Sequence, residues 1–199
     1  MSELLEAFAS NEPLPAGGSA AALTGAVGAS LLLMVATLPR TRSGASEETT
    51  VLAAAAVRLR PIRDELAELV QRDTESYSAL LVALRAPKAT DEERTRRQDE
   101  IVAAMYLATD TPLQTMRESC AALNAAVVVA QHGSRAASGD VAAAVELLRG
   151  AVRAAGHSVD SNLAALKAGE YVERIEAERR RCEIESRADA ERARAALVD

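Results

Sequence analysis

Apolar side chains recur along this chain at the three- and four-residue spacing of an α-helix, and short breaks divide the pattern into segments. The first long segment is an uncharged run of small residues that ends near Leu38. The second extends from Ser46 to Leu84 and contains Pro61. Because proline removes a backbone hydrogen bond inside a helix, Pro61 predicts either a kink or the start of a new helix.

Three further segments follow. The first runs from about residue 90 to residue 131, contains Pro112 and ends before Gly133, a typical helix stop. The next begins at Ser138, with Asp140 as its expected N-cap, and continues to about residue 167. The last, residues 170–199, is highly charged and contains acid–base pairs four residues apart, such as Glu176 and Arg180.

The apolar stripe of this last helix is weak, which leaves open whether it is a solvated tail or a contact arm. Its members are Val172, Ile175, Ile184 and Ala188. Taken together, the segments predict an all-α fold for residues 1–199: a single-domain multi-helix bundle with long, proline-kinked helices and a charged C-terminal helix.

Composition strengthens the helical prediction. Hydrophobic residues make up 49% of the 199 residues but aromatic residues only 2%, so alanine, leucine and valine must build the core. Alanine is the best helix former and is small enough to let helices approach closely. The formal net charge of −6 offers no basic footprint for nucleic acid.

Two features bear on the compartment. The uncharged run from Ala20 to Leu38 is nearly long enough to span a membrane, but its many small residues favour a buried helix over a membrane span. The N-terminus is acidic and lacks the positive region of a signal peptide, so we expect a cytoplasmic protein. Cys120 and Cys182 have no metal-binding spacing and are expected to be free thiols.

A glycine-containing turn directly precedes the first long helix. Gly17 and Gly18 allow a ligand to approach the backbone, and Ser19 is placed either to cap the helix or to bind a ligand. No phosphate-binding loop is present, because the lysine that ends such a motif is absent. On local grounds the turn is either a plain helix start or a cradle for an anionic or heterocyclic ligand.

Polar residues inside apolar helices are the other candidates. Asp73 lies one helical turn before Tyr77, where a carboxylate is either a boundary residue facing water or an inward-facing base. Asp140 is explained locally as an N-cap, and Asn162 as a structural hydrogen-bonding residue. Pro112 marks an irregular point in its helix. The two histidines, His132 and His157, accompany no nucleophile at a telling spacing.

Several of these residues fall in motifs that together resemble the cyclodeaminase/cyclohydrolase family, the C-terminal domain of formiminotransferase-cyclodeaminases and the stand-alone bacterial methenyltetrahydrofolate cyclohydrolases. The resemblance is strongest over residues 11–38, where a Pro-Ala-Gly-Gly-Ser turn leads into a small-residue helix containing Met-Val-Ala. Weaker pieces follow in the same order along about residues 1–185. They surround Asp73, Pro112, Asp140 and Asn162.

The resemblance implies an all-helical homodimer that binds reduced folate and needs no metal or redox cofactor. It implies two reactions: loss of ammonia from 5-formiminotetrahydrofolate to give the 5,10-methenyl form, and hydrolysis of that form to 10-formyltetrahydrofolate. Since no formiminotransferase domain accompanies this one, we favour the hydrolysis. The resemblance assigns catalysis to Asp73 and Asp140. It assigns substrate binding to Gly17, Gly18, Ser19, Arg40, Tyr77, Pro112 and Asn162.

Two positions depart from the family pattern. Ala16 stands where the family usually has its first glycine, and a left-handed backbone there would disfavour alanine. After Leu38 the usual lysine and tyrosine are missing, and Arg40 and Arg42 supply the positive charge for a glutamate tail. The alternatives are therefore a divergent, non-catalytic ligand-binding or assembly module on the same scaffold, and a purely structural helical protein.

Overall fold

A computed structural model describes residues 2–198 of the chain and confirms the all-α fold. Within these residues the regular structure consists of six α-helices and one short 3-10 turn, Arg135–Ala137. The helices are α1 (Ser2–Ala9), α2 (Gly17–Ala36), α3 (Ser46–Arg85), α4 (Asp91–His132), α5 (Ser138–Leu163) and α6 (Glu170–Val198). Thr90 caps α4 through a reciprocal capping box with Glu93, in agreement with the predicted break.

Helices α2 to α5 form the centre of the bundle, and α6 packs across α4 and α5. Helix α2 is long and apolar enough to cross a membrane by composition, but 61% of that stretch is buried inside the bundle. Its small residues allow this packing. A Cβ added at Gly28 would lie 2.8 Å from Leu148 Cγ on α5, so only glycine permits the two helices to lie this close.

The structure shows that no new helix starts at Pro61, and it corrects the predicted N-cap of α5. Helix α3 continues through Pro61 as one element. The carbonyl that Pro61 deprives of a helical partner belongs to Val57, whose side chain is 70% exposed. Helix α5 has Ala137, not Asp140, at its N-cap position, and Asp140 lies within its first turn.

Helix α6 is part of the bundle and not a solvated tail, but the predicted stripe on it is only partly correct. Ile175 is fully buried, whereas Ile184 is 71% exposed. The face that packs inward is made of smaller residues that a hydropathy scan underrates. Its buried members are Ile175, Cys182, Ser186, Asp189, Ala190 and Ala193.

The long helices α3 and α4 extend beyond the start of α2 as a two-helix arm. At 1.5 Å per residue, the 40 residues of α3 span about 60 Å, and the 20 residues of α2 about 30 Å. The arm has its own small core, which consists of Leu80, Ala83, Ala104 and Ala108. Because α2 begins at the base of the arm, its first turn lies at the edge of an open cleft.

Candidate active site

The cleft lies at the first turn of α2, between α3 and α5, with α4 contributing to its wall. It has a volume of about 490 Å³. Its lining residues are Ala16, Gly17, Gly18, Asp73, Ser76, Tyr77, Ala108, Ala154, His157, Ser158, Ser161 and Asn162. The fold therefore brings together the glycine turn, Asp73, Tyr77 and Asn162, which lie far apart in the sequence.

Asp73 is held directly against the first turn of α2. The hydroxyl of Ser19, which is fully buried, donates to Asp73 Oδ2 at 2.8 Å. Thr74 Oγ1 lies 3.2 Å from the same hydroxyl oxygen. A Cβ added at Gly18 would lie only 2.1 Å from Asp73 Oδ1, so the carboxylate occupies the space that any other side chain at Gly18 would need.

This arrangement also explains how α2 begins. Its N-cap residue, Ala16, makes no side-chain capping hydrogen bond. The backbone N–H and the hydroxyl of Ser19 both donate to the Asp73 carboxylate instead, so a residue of α3 caps α2 from across the bundle. Ala16 has φ −123°, an extended conformation that alanine adopts freely, so the missing family glycine costs no backbone strain.

Two opposing effects act on the pKa of Asp73. Burial raises it, and the two hydrogen bonds from Ser19 lower it, with burial the larger effect. The net result is a pKa above the ordinary value of 3.8. A carboxylate that is half-buried, fixed in place and more basic than usual is suited to accept a proton or to stand beside a cation.

Asn162 faces the cleft from the last turn of α5. Its Nδ2 donates to the backbone carbonyl oxygen of Ala108 at 2.7 Å. Pro112 is buried in α4, four residues after Ala108, and does not line the cleft. The prediction of Pro112 as a residue that contacts substrate is therefore corrected: its contribution is to the backbone behind the wall.

Other lining residues were undervalued by the sequence argument. His157, Ser158 and Ser161 lie on the same face of α5 as Asn162 and line the cleft. His157 and Ser161 lie four residues apart, as do Ser158 and Asn162, which is the spacing of a single helix face and the signal that identifies them. Tyr77 lines the opposite wall and is 37% exposed, in a position to contact a bound ligand.

Known proteins similar to this chain identify its family. The sequence pattern of the family described as formiminotransferase-cyclodeaminase matches residues 1–181. The chain belongs to this family. Methenyltetrahydrofolate cyclohydrolase from Methylorubrum extorquens is 33% identical over 162 residues, covering 81% of this chain and 78% of that protein.

Two further proteins are similar to this chain, one in sequence and one in structure. Formimidoyltransferase-cyclodeaminase from Gallus gallus is 28% identical over 149 residues, 75% of this chain but 28% of that longer protein. The crystal structure of formiminotetrahydrofolate cyclodeaminase from Thermotoga maritima superimposes with a TM-score of 0.88 at 19% identity. It covers 99% of this chain and 94% of that one. This likeness shows that the two chains share one fold.

Asp140, predicted to share catalysis with Asp73, and Arg40, predicted to bind the glutamate tail of the substrate, do not line the cleft. Asp140 is exposed at the start of α5, 22 residues before Asn162, or about 33 Å along the helix. Arg40 is exposed beyond the end of α2, about 30 Å from Gly17. Within one chain of this family member, therefore, Asp73 and Asp140 do not form a catalytic pair.

Arg42 also has a structural position instead of a ligand-binding one. Its Nη1 donates to the backbone oxygens of Ala130 at 2.6 Å and Ala196 at 3.0 Å. These carbonyls lie in the last turns of α4 and α6, where backbone oxygens lack helical partners and a cation is favoured. Arg42 thus ties the ends of two helices together.

Proposed function

We propose that the protein is a folate one-carbon enzyme that hydrolyses 5,10-methenyltetrahydrofolate to 10-formyltetrahydrofolate at the cleft around Asp73. The observation that carries the proposal is the half-buried Asp73 carboxylate, fixed by Ser19 and Gly18 in an open cleft of ligand size. The Methylorubrum extorquens relative, which aligns over most of both chains, is named for this reaction.

The hydrolysis requires a group that stabilises a cation and transfers a proton, and the Asp73 carboxylate can do both. The methenyl carbon lies between N5 and N10 of the folate in a cationic amidinium group, and a nearby carboxylate stabilises that charge. Asp73 takes one proton from a water molecule as the water oxygen bonds to the methenyl carbon. The bond from this carbon to N5 then breaks, its electron pair stays on N5, and Asp73 returns the proton there. The hydroxyl proton of the adduct passes to solvent as the formyl group forms on N10.

Deamination of 5-formiminotetrahydrofolate is the second candidate, because relatives from Gallus gallus and Thermotoga maritima carry the cyclodeaminase name. In that reaction N10 bonds to the formimino carbon and loses its proton. The formimino nitrogen is protonated, and its bond to the carbon breaks with the electron pair leaving on ammonia, which gives the 5,10-methenyl cation. His157 stands on the opposite wall of the cleft from Asp73 and offers a second group for that proton transfer. Both reactions pass through the same amidine carbon, so one site serves either.

The proposed chemistry needs the folate, water and side chains, with no metal or redox cofactor, and we propose that it takes place in the cytoplasm. We also propose a homodimer. The two-helix arm carries exposed apolar side chains, among them Val82 at 67% and Leu107 at 58% exposure, which a second copy would cover. Light scattering of the purified protein measures this directly: a monomeric mass contradicts the dimer.

The decisive assay follows the methenyl chromophore by absorbance, with and without enzyme. Asp73→Asn is expected to keep the fold, measured by circular dichroism, and to lose turnover by at least about 100-fold. Purified wild-type protein that neither accelerates the decay of methenyltetrahydrofolate nor binds 5-formyltetrahydrofolate in calorimetry refutes the folate function. Binding without turnover by the wild type instead supports a non-catalytic ligand-binding module.

A further inference from the structure

Pro112 leaves one backbone carbonyl of α4 without its usual partner. In an α-helix each carbonyl oxygen accepts a hydrogen bond from the N–H four residues later. Proline has no N–H, so Pro112 cannot donate to the oxygen of Ala108. Ala108 lines the cleft and is almost completely buried, with 3% exposure, so water has little access to this part of α4.

The side chain of Asn162 satisfies this carbonyl. Its Nδ2 donates to Ala108 O at 2.7 Å across the gap between α5 and α4. This contact decides which way the amide points, because the other amide atom, Oδ1, is an acceptor and would repel the carbonyl oxygen. Within residues 2–198 the side chain of Asn162 is hydrogen-bonded through Nδ2, its Oδ1 accepts from no protein donor, and Asn162 lines the cleft.

We propose that Pro112 is a positioning residue that fixes Asn162 so that its Oδ1 accepts a hydrogen bond from an N–H of the bound ligand. On the folate function proposed above, on which this inference rests, the donor is an N–H group of the reduced pterin ring. Asn162 then orients the ring while Asp73, on the facing wall, meets the one-carbon unit.

The arrangement makes a specific chemical demand. An amide held by its N–H side presents only an acceptor to the cleft, so a ligand with an N–H at that point gains a hydrogen bond. A ligand that places its own hydrogen-bond acceptor there binds more weakly, because that acceptor and Asn162 Oδ1 repel each other. If Ala108 O received a helical partner, the Asn162 amide would lose its anchor and rotate freely, and the preference would weaken.

Pro112→Ala performs this change, because the alanine N–H can donate to Ala108 O. Pro61→Ala is the matched control, since Pro61 also lies inside a long continuous helix but outside the cleft. The measured quantity is the dissociation constant of 5-formyltetrahydrofolate by calorimetry. We expect Asn162→Ala to weaken binding by about 3- to 10-fold, Pro112→Ala to weaken it by a similar factor, and Pro61→Ala to leave it unchanged.

The double variant tests the link between the two residues. If Pro112 acts through Asn162, Pro112→Ala combined with Asn162→Ala binds no more weakly than Asn162→Ala alone. The proposal is overturned if the double variant loses affinity by the product of the two single losses. It is also overturned if Pro112→Ala binds the ligand as tightly as Pro61→Ala does. Both proline replacements favour the helix, so the melting temperatures should be kept or raised, and a merely unfolded variant is recognised by circular dichroism.

Nuclear magnetic resonance separates this inference from the folate function. The side-chain NH₂ signals of Asn162, assigned by their absence in Asn162→Ala, should show a hydrogen-bonded proton in the wild type and lose it in Pro112→Ala. These signals are measured on the protein without ligand. Wild-type protein that shows the hydrogen-bonded proton but does not bind the folate refutes the proposed ligand alone, whereas unchanged signals in Pro112→Ala refute the positioning by Pro112.

Discussion

Gly18→Ala is the sharpest test of how the cleft is built. The new Cβ would lie 2.1 Å from Asp73 Oδ1, where ordinary contact begins near 3.4 Å, so the carboxylate must move by roughly 1.3 Å. That movement breaks the 2.8 Å hydrogen bond from the Ser19 hydroxyl. Losing a hydrogen bond to a charged group costs about 1.5–3 kcal/mol, and the better helix propensity of alanine returns about 1 kcal/mol.

We therefore expect a net destabilisation of about 0.5–2 kcal/mol, which lowers the melting temperature by a few degrees in a chain of this size. Turnover should fall about 100-fold, since a displacement of about 1 Å in a catalytic group has that effect. Thermal unfolding by circular dichroism and the methenyl absorbance assay measure the two quantities.

Gly150→Ala is the matched control for both measurements. Gly150 lies in α5, outside the cleft, and a Cβ there meets nothing within 4 Å. This variant should keep its activity and gain up to about 1 kcal/mol of stability. If Gly18→Ala is as stable and as active as Gly150→Ala, the carboxylate is not held against Gly18 and the description of the site is wrong.

Three further predictions follow from single contacts. Burial raises the pKa of Asp73 in the folded protein above its value in the unfolded chain. As the pH rises from the unfolded pKa through the folded pKa, the free energy of unfolding therefore falls. The urea midpoint of Asp73→Asn should equal that of wild type at pH 3 and exceed it at pH 7. Arg42→Gln, which loses the guanidinium bound to the ends of α4 and α6, should cost about 1–3 kcal/mol in chemical denaturation and leave the folate dissociation constant unchanged. A hydrogen bond with Cys182 and burial raise the pKa of the Cys120 thiol, so a thiol reagent should modify Cys120 slowly in native protein and rapidly in urea; fast native modification contradicts its burial.

Local patterns predicted the helices well. Breakers such as Gly133 and the capping box at Thr90 mark real helix ends, because these signals act through hydrogen bonds within a few residues. The small-residue face of α6 escaped prediction, since alanine, serine and cysteine are buried there by close helix packing and not by strong hydrophobicity.

The candidate site was only partly predictable. The distance between two residues on one helix follows from the rise of 1.5 Å per residue. Asp140 and Asn162 are therefore about 33 Å apart and do not share one cleft. The length of α2 separates Arg40 from Gly17 in the same way. The predicted helices already imply both separations, because the rise per residue is the same in every α-helix.

The sequence by itself determined where the helices run and which turn begins α2, because periodicity, breakers and the resemblance to a family are written in neighbouring residues. Only the tertiary structure decided that Ser19 meets Asp73, 54 positions away, and that Asn162 meets the carbonyl of Ala108, also 54 positions away. Such contacts depend on the order and register in which the helices pack. The distance between two side chains on different helices is set by packing across the whole bundle, which no local pattern encodes.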